Sequence, residues 1–336
     1  SSSAASDVYK RQAYRLYCEA AQFIIEDNPE FMERALNIPK EIGERIRASW
    51  DADELSLYGR FDFILAKEGT PKILEFNADT PTSLLEASVI QWQWKEDVFP
   101  ECDQFNGIHE GLVQSWKDIF PKKGEIHFAG ALENNEDTGT LQYLASTAME
   151  AGFSTRVLDM QALDLQNGRF FDPAGELVNR CFKLYPWEWM VDESPDGCLA
   201  EMEWLEPIWK LVMSNKAILA TLYELFPDSP YVLPCYLSRP RSGLFCKKPV
   251  FSREGHNVSV VDIRDWEEYV RIAETEGDYN TGAYVYQEYA EPTAYSGRYP
   301  VIGSWIIGGE AAGIGIRENR MEVTDNLSEF VPHIIG

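Results

Sequence analysis

The chain carries the run Gly59-Arg60-Phe61-Asp62-Phe63 and, a little further on, the run Lys72-Ile73-Leu74-Glu75-Phe76-Asn77-Ala78-Asp79-Thr80-Pro81-Thr82-Ser83. Apolar and polar residues alternate at the start of each run, which predicts two short β-strands, and Gly69-Thr70-Pro71 predicts the turn between them. Paired as a hairpin, the strands bring Asp62, Glu75 and Asn77 to one face, with Arg60 close by. The hairpin therefore has a polar face that can carry chemistry.

Two carboxylates and an amide oxygen on one face are hard oxygen ligands. Mg²⁺ prefers such ligands in octahedral geometry and often binds together with phosphates. An arginine beside them can hold a phosphate through paired hydrogen bonds. A surface hairpin whose charges are merely solvated explains the same residues, and the hairpin alone leaves both interpretations open.

The composition is that of a large, acidic globular protein. The chain has 336 residues, of which 45% are hydrophobic, 25% charged and 13% aromatic, and its formal charge is −25. This length predicts two or three lobes around a sizeable core. The charge argues against a nucleic-acid partner, because that affinity depends on Lys and Arg neutralising phosphates. An acidic surface attracts cationic small molecules such as polyamines.

The cysteines and the hydropathy pattern indicate a cytoplasmic protein. Six cysteines are scattered without a CxxC pair, which predicts neither a zinc site nor a disulfide framework and fits a reducing compartment. No run of 18 or more apolar residues occurs, and the start has no basic-then-apolar signal pattern, so we expect neither a membrane span nor export. Residues 1–12 show no periodicity and are expected to be a tail.

The first part of the chain, residues 13–123, is predicted to contain helices on either side of the hairpin. Apolar residues recur at three- and four-residue steps between Ala13 and Trp50, and Asn28-Pro29 begins a second helical segment. Two more helices are predicted at 83–94 and 107–119.

Residues 124–200 are predicted to form a small parallel α/β lobe. A strand at 124–132, a helix at 141–151 and a strand at 153–158 make a βαβ unit. Ligands bind such sheets at the carboxyl ends of the strands, which here means the loop 133–140. The acids of that loop can equally cap the following helix. Residues 180–209, rich in tryptophan, are interpreted as a linker and lobe interface.

The last part, residues 201–336, is predicted to be a lobe that holds a nucleotide. Ser214-Asn215-Lys216 begins an apolar helix, a strand at 243–250 carries Lys247 and Lys248, and a polar loop containing Gly255 follows. Further strands are predicted at 258–261, 283–289, 301–307 and 311–317, with a Gly308-Gly309 turn. Lysines and backbone N–H groups placed in this way can bind phosphate oxygens. Neither a P-loop motif nor a GxGxxG dinucleotide motif occurs.

These motifs together resemble the synthetase part of the glutathionylspermidine synthase family, and in particular its free-standing bacterial members of the acid–amine ligase type. The resemblance extends from about residue 30 to the end. It is carried by Gly-Arg-Phe-Asp-Phe at 59–63, Glu-Phe-Asn-Ala-Asp-Thr-Pro-Thr-Ser at 75–83, Ser-Asn-Lys-Ala at 214–217, Lys-Lys-Pro with Ser-Arg-Glu-Gly at 247–255, Tyr-Gln-Glu at 286–288 and Gly-Ile-Gly-Ile-Arg-Glu at 313–318. It implies an ATP-grasp fold of mixed α+β and α/β type, in which ATP lies between two antiparallel lobes and the small parallel lobe is an insertion.

The resemblance also implies roles for individual residues. The ligands of two Mg²⁺ ions are Asp62, Glu75 and Asn77, and the catalytic arginines are Arg60 and Arg317. The ATP site consists of Arg60, Phe61, Asp62, Lys216, Lys248, Arg253, Gly255, Gln287, Glu288, Tyr289, Ala290, Glu322, Val323 and Thr324. The acid substrate is held at Thr80 and Thr82, and the amine at Glu136 and Asp137.

The implied activity joins a carboxylic acid, peptide-like in this family, to an amine such as a polyamine. ATP converts the carboxylate to an acyl phosphate, and the amine displaces phosphate to give an amide. Thr80 and Thr82 replace the serines of the bifunctional relatives, which weakens the case for glutathione as the acid. The bifunctional relatives also carry an upstream amidase domain, which we expect to be missing here, together with part of the N-terminal region. A homodimer is compatible with the resemblance.

Two other classes of function compete with a ligase. A degenerate ATP-grasp protein would bind nucleotide without turnover, but the complete set of Arg60, Asp62, Glu75 and Asn77 argues against it. A carbohydrate-active enzyme with paired carboxylates among tryptophans would leave the lysines unexplained. We therefore expect an ATP- and Mg²⁺-dependent acid–amine ligase.

Overall fold

The computed structural model describes residues 2–253, 255–265, 268–277, 282–320 and 328–336. The helices are α1 Ser2–Gln22, α2 Glu30–Arg34, α3 Lys40–Asp51, α4 Gln91–Val98, α5 Ile108–Ile119, α6 Asn135–Glu150, α7 Trp187–Glu193, α8 Pro195–Cys198, α9 Lys210–Ser214 and α10 Ile218–Leu225. Wider π-helical turns at Phe23–Asp27 and Glu86–Ile90 adjoin α1 and α4, and a 3₁₀ turn covers Met160–Ala162.

Within the described residues, the strands form three antiparallel sheets and one parallel sheet. They are β1 Tyr58–Leu65, β2 Pro71–Asn77, β3 Glu125–Gly130, β4 Ser154–Asp159, β5 Asp164–Gln166, β6 Arg169–Phe171, β7 Leu177–Val178, β8 Arg180–Leu184, β9 Glu203–Leu205, β10 Cys235–Tyr236, β11 Gly243–Pro249, β12 Ser259–Ile263, β13 Tyr269–Glu274, β14 Tyr284–Glu288, β15 Tyr299–Ile307, β16 Glu310–Asn319 and β17 Glu329–Val331.

The predicted hairpin is confirmed as β1 and β2. The two strands are antiparallel, with Arg60 opposite Asn77 and Asp62 opposite Glu75, and a register shift follows Asp62. This pairing places all four polar side chains on one face, because residues that face each other across strands point to the same side of a sheet. β1 lies between β2 and β15 in a five-stranded sheet of order β17-β16-β15-β1-β2.

The opposite face of the hairpin is packed with aromatic rings. Phe61 and Phe76 stack with their centroids 4.1 Å apart, and Tyr17 of α1 meets both rings edge-on at 5.1 and 5.5 Å. Phe61 and Phe63 are completely buried. Burial of each such side chain contributes about 2 kcal/mol, and α1 is thereby fixed against the sheet that carries the polar face.

The strands of the last third divide between two sheets. β11, β12, β13 and β14 form a five-stranded antiparallel sheet with β10, whereas β15, β16 and β17 pair with the hairpin. Residues 201–336 therefore do not make one sheet of their own. The predicted turn at Gly308-Gly309 connects β15 to β16, and both glycines have positive φ, 56° and 83°, which suits residues without a Cβ.

The predicted strand–helix–strand unit is confirmed as β3, α6 and β4 in a parallel sheet of order β4-β3-β8-β9. The interpretation of 180–209 as a linker was wrong, because β8 and β9 are two strands of this sheet. β8 reads Arg-Cys-Phe-Lys-Leu, and a lysine inside the run hides the apolar pattern of a buried strand. β9, at Glu203–Leu205, is the last strand of this sheet, so the parallel lobe extends beyond its predicted end at residue 200.

Helix α6 begins six residues before the predicted helix at 141–151. Asn134 is the N-cap, and its side chain accepts a hydrogen bond from the backbone N–H of Glu136 at 2.9 Å. Glu136 and Asp137 therefore lie in the first helical turn, where the helix dipole stabilises negative charge, and the loop predicted at 133–140 is short.

The N-terminal stretch predicted as a tail is helical, because α1 already begins at Ser2. None of the helices in the described ranges is long and apolar enough to cross a membrane.

His127 of β3 predicts a pH-dependent stability. Its side chain is buried, and burial lowers its pKa from the usual 6.5, although Glu125 and Asp172 oppose the shift and Arg156 adds to it. The folded state therefore binds a proton at His127 less readily than the unfolded state does. The contribution of neutral His127 to stability is fully present above pH 6.5 and is lost as the pH falls through the pKa of His127 in the folded state. Urea unfolding between pH 5 and 8 should show a shallower acid decline for His127→Gln than for the wild type. Parallel curves would contradict this assignment.

Candidate functional site

A cavity of about 330 Å³ is lined by polar residues of the hairpin, the N-terminus of helix α6 and the β10–β14 sheet. The predicted residues that line it are Arg60, Asp62, Glu75, Asn77, Thr80, Thr82, Glu136, Asp137, Lys216, Lys248, Arg253, Gly255, Gln287, Glu288, Tyr289, Ala290 and Arg317. They come from distant parts of the chain: from the hairpin sheet, the β10–β14 sheet, helix α6 and the loops between these elements.

The cavity brings together several cationic side chains of an acidic protein. Among the described lining residues, two lysines and three arginines project from different elements: Lys216, Lys248, Arg60, Arg253 and Arg317. The chain as a whole carries a formal charge of −25. An equal number of carboxylates lines the cavity: Asp62, Glu75, Glu136, Asp137 and Glu288. Lysines and arginines gathered in this way can bind the oxygens of an anionic ligand with several charges, such as a polyphosphate.

Asp62 organises the arginine end of the cavity. Arg60 donates two hydrogen bonds to its carboxylate, at 2.7 and 3.0 Å, and Arg317 donates a third at 2.8 Å. Burial works against the charge of Arg60, but Asp62 raises its pKa overall. Gly303 of β15 lies opposite Asp62, and a Cβ there would come within 2.9 Å of Arg60 Cδ. Gly303, which the sequence did not single out, thus makes room for the arginine.

Glu75 is the second carboxylate of the hairpin and is paired with a lysine. Lys216 Nζ lies 3.0 Å from its carboxylate and also donates to the carbonyl of Ser252 at 2.6 Å. Burial alone would raise the pKa of Glu75, but Lys216 and Lys248 outweigh it and lower the pKa to about 2. Glu75 is therefore ionised at neutral pH.

Lys248 joins the hairpin to the β10–β14 sheet. Its Nζ donates to Gln287 Oε1 at 2.7 Å and to the carbonyl of Leu74 at 3.2 Å. Gln287 in turn donates to the carbonyl of Ile73 at 2.9 Å. The lysine is thus held at the boundary between the two sheets, with its charge facing the cavity.

The loop after β2 forms another wall of the cavity. The carbonyl of Thr82 accepts a hydrogen bond from Arg60 at 2.5 Å. The hydroxyl of Thr80 accepts one from Arg253, whose guanidinium also pairs with Glu188 of α7. The two threonines assigned to the acid substrate therefore lie beside two of the arginines.

A further wall of the cavity carries acids and aromatic rings that the sequence only partly identified. Glu136 and Asp137 lie on the first turn of α6. Tyr185 and Trp189 also line the cavity, with their rings 5.4 Å apart in an edge-on arrangement. The tryptophan-rich composition of 180–209 was the available signal, but the linker interpretation concealed it. Asn134 and His256 also line the cavity; they lie in the predicted loop 133–140 and in the polar loop around Gly255, but the sequence assigned no role to either residue.

One predicted ATP-site residue is not brought into the cavity. The side chain of Phe61 faces the aromatic core, as the alternation along β1 requires, and is completely buried there. Glu322, Val323 and Thr324 lie outside the described residues.

Asp62, Glu75 and Asn77 have the chemistry of a magnesium site. Their carboxylate and amide oxygens share one face of the hairpin, and Asp62 Oδ2 lies 3.3 Å from Asn77 Nδ2. Within the described ranges no group of three or more His, Cys, Asp or Glu side chains is arranged to hold a metal. Mg²⁺ commonly takes one or two protein carboxylates together with substrate phosphates, so the donor set fits that mode of binding.

Comparison with known proteins identifies the family of this chain. The family model described as "Glutathionylspermidine synthase preATP-grasp" matches residues 4–336. The chain belongs to this family. A Haemophilus influenzae protein named "Putative acid--amine ligase" is 38% identical over 86% of this chain and 77% of its own length. The trypanothione synthetase of Crithidia fasciculata is 28% identical over 96% of this chain, which spans 53% of that protein.

The fold is also similar to a solved structure outside the close relatives. A glutathione synthetase-like effector of Globodera pallida superposes with a TM-score of 0.59 at 11% identity, covering 99% of this chain and 86% of that one. At this identity the likeness concerns the fold alone, a mixed α/β architecture with parallel and antiparallel sheets.

Proposed function

We propose that this protein is an ATP- and Mg²⁺-dependent carboxylate–amine ligase that forms an amide bond through an acyl phosphate. The observation that carries the proposal is the meeting of five cationic side chains with Asp62, Glu75 and Asn77 in one cavity. Binding a polyphosphate explains the cations, and binding Mg²⁺ explains the oxygen donors. The ligase and synthetase names of the relatives support the same reaction class.

The proposed fold assignment is an ATP-grasp fold with the parallel α/β lobe as an insertion. The hairpin sheet and the β10–β14 sheet would hold ATP between them, with Lys216 and Lys248 at the phosphates. Both lysines lie at the boundary of the two sheets, where Lys216 contacts Glu75 and Lys248 contacts Leu74. The domain boundary at 124 is part of this proposal, whereas the parallel lobe extends past the predicted boundary at 200, because β9 belongs to its sheet.

In the first step, an oxygen of the acid substrate attacks the γ-phosphorus of ATP, and the bond to the ADP oxygen breaks. Arg60 and Arg317 would stabilise the charge on the transferred group, because both guanidiniums already converge on Asp62. Thr80 and Thr82 would orient the acid. A Mg²⁺ pair held by Asp62, Glu75 and Asn77 would neutralise phosphate charge when bound.

In the second step, a neutral amine nitrogen attacks the acyl carbon, phosphate leaves, and the nitrogen loses a proton. Glu136 and Asp137 face the cavity and would attract a cationic substrate to this wall. The amine would thus approach along this wall of the cavity. A peptide-like acid and an amine of the polyamine type are the proposed substrates.

ADP release tests the proposal directly. Mg·ATP is supplied with a pool of peptide and γ-glutamyl carboxylates, a pool of amines that includes spermidine and putrescine, both pools, or neither. We expect release only when both pools are present, because the acyl phosphate needs an acid to form and an amine to turn over. Release that ignores the pools, or a complete lack of release with every pool, would contradict the proposed ligase.

A further inference from the structure

Asp79 occupies the loop between β2 and the two threonines, yet it does not line the cavity. It is 1% exposed, whereas Thr80 and Thr82 on either side of Pro81 border the cavity. A carboxylate in this position must have found partners inside the protein, because an unpaired buried charge is strongly unfavourable.

Both oxygens of Asp79 are bound by the parallel α/β lobe. One accepts a hydrogen bond from Lys183 Nζ at 2.7 Å, and the other accepts one from the backbone N–H of Trp187 at 2.8 Å. Lys183, on β8, is fully buried and also donates to the carbonyl of Tyr185 at 2.9 Å. Its Nζ lies 4.2 Å from the centre of the Trp187 ring, so a cation–π contact completes its surroundings.

This carboxylate therefore connects the end of the hairpin sheet to the parallel sheet. The residues that it holds are next to the reactive part of the cavity. Thr80 accepts a hydrogen bond from Arg253, and the carbonyl of Thr82 accepts one from Arg60. A shift of the loop would move both acceptors relative to the two arginines.

A buried ion pair is not by itself a stabilising device. The cost of removing both charges from water often equals or exceeds the gain from their attraction, and apolar replacements of similar size can be as stable. The contacts of Asp79 are better explained by position, since they fix one short loop in one place.

We propose that Asp79 is a positioning residue: through Lys183 and Trp187 it fixes the Thr80–Thr82 loop so that the acid substrate meets Arg60 and the γ-phosphate in line. This inference rests on the proposed ligase function. Asp79 touches neither substrate, so its removal should slow phosphoryl transfer and leave nucleotide binding nearly intact.

Asp172 offers a matched control for Asp79→Asn. It lies in the turn after β6 and, like Asp79, is buried and accepts hydrogen bonds from a basic side chain and from backbone N–H groups, here Arg156 with Ala174 and Glu176. It does not line the cavity. Asp172→Asn and Asp79→Asn make the same chemical change at a buried carboxylate. Asp79→Asn should lower the unfolding free energy more, because Lys183 is fully buried whereas the Arg156 side chain is 40% exposed.

In Mg·ATP turnover with the acid and amine pools, we expect Asp79→Asn to lower kcat about a hundredfold, since small misplacements of a reacting group cost this much. The KM for ATP should stay within about threefold of the wild-type value. Asp172→Asn should leave both constants at wild-type values. Equal kcat values for the two variants, or a loss confined to the KM for ATP, would overturn the positioning role.

Two further measurements cover other outcomes. If Asp79→Asn does not fold, the double variant Asp79→Leu/Lys183→Met removes both charges together. We expect this variant to fold and to have the same low kcat. A wild-type kcat in the double variant would overturn the inference. If the wild type releases no ADP, the ligase proposal fails, and amide hydrogen exchange at Thr80, Thr82 and Ser83 then tests Asp79 separately. Exchange that is unchanged in Asp79→Asn would contradict its control of the loop.

Discussion

Replacing Glu75 with Gln should lower Mg·ATP turnover about a thousandfold, the scale expected when a preorganised charge is lost from a phosphoryl-transfer site. Glu75 is held ionised, because Lys216 and Lys248 outweigh the effect of burial and lower its pKa to about 2. Gln keeps the shape of the side chain and one oxygen, but it loses the negative charge that would bind Mg²⁺. The measurement is ADP release at saturating ATP, with Mg²⁺ titrated from micromolar to millimolar.

The fold should survive this change. Lys216 loses its carboxylate partner but keeps the carbonyl of Ser252, so the unfolding free energy should fall by about 1–3 kcal/mol. Glu68→Gln is the matched control, because Glu68 lies in the turn of the same hairpin with its side chain 57% exposed. Glu68→Gln should retain full turnover. Wild-type turnover in Glu75→Gln would rule out its role as a metal ligand.

The hairpin could be predicted because its alternation has period two on both strands and the turn residues lie between them. The same alternation already separated Asp62, on the cavity face, from Phe61, on the core face. Phe61 was included in the ATP site because of the family resemblance. The alternation along β1 instead places its side chain on the core face, away from the cavity.

Other features of the fold could not be predicted, because their evidence lies in long-range pairing. β15 pairs with β1, more than two hundred residues earlier in the chain, and β16 follows on the other side of β15; no local pattern in the last third indicates this. In the same way, Lys183 reads as a polar residue that interrupts a strand until Asp79 is seen to be its partner. The approach of Arg317 to Asp62 depends on the same strand pairing.

Replacing Arg60 with Ala should separate catalysis from nucleotide binding. Arg60 is bound to Asp62 and to the carbonyl of Thr82, beside the threonines assigned to the acid. Lys216 and Lys248, which we assign to ATP, are untouched by the change. We therefore expect turnover to fall about a thousandfold while the affinity for a non-hydrolysable ATP analogue, measured by calorimetry, changes by less than about threefold.

This result would also decide between a ligase and a degenerate nucleotide-binding module. Asp62 would keep Arg317 and Asn77 as partners, so the loss should not come from an abandoned buried charge. Arg60→Lys keeps a positive charge without the paired geometry of a guanidinium and should recover only part of the turnover. The control is Arg169→Ala, which should behave as wild type. Arg169 lies on the small β5–β7 sheet and forms an exposed ion pair with Glu201. Equal losses of affinity and turnover in Arg60→Ala would assign Arg60 to ATP binding, and the phosphoryl-transfer role would then be wrong.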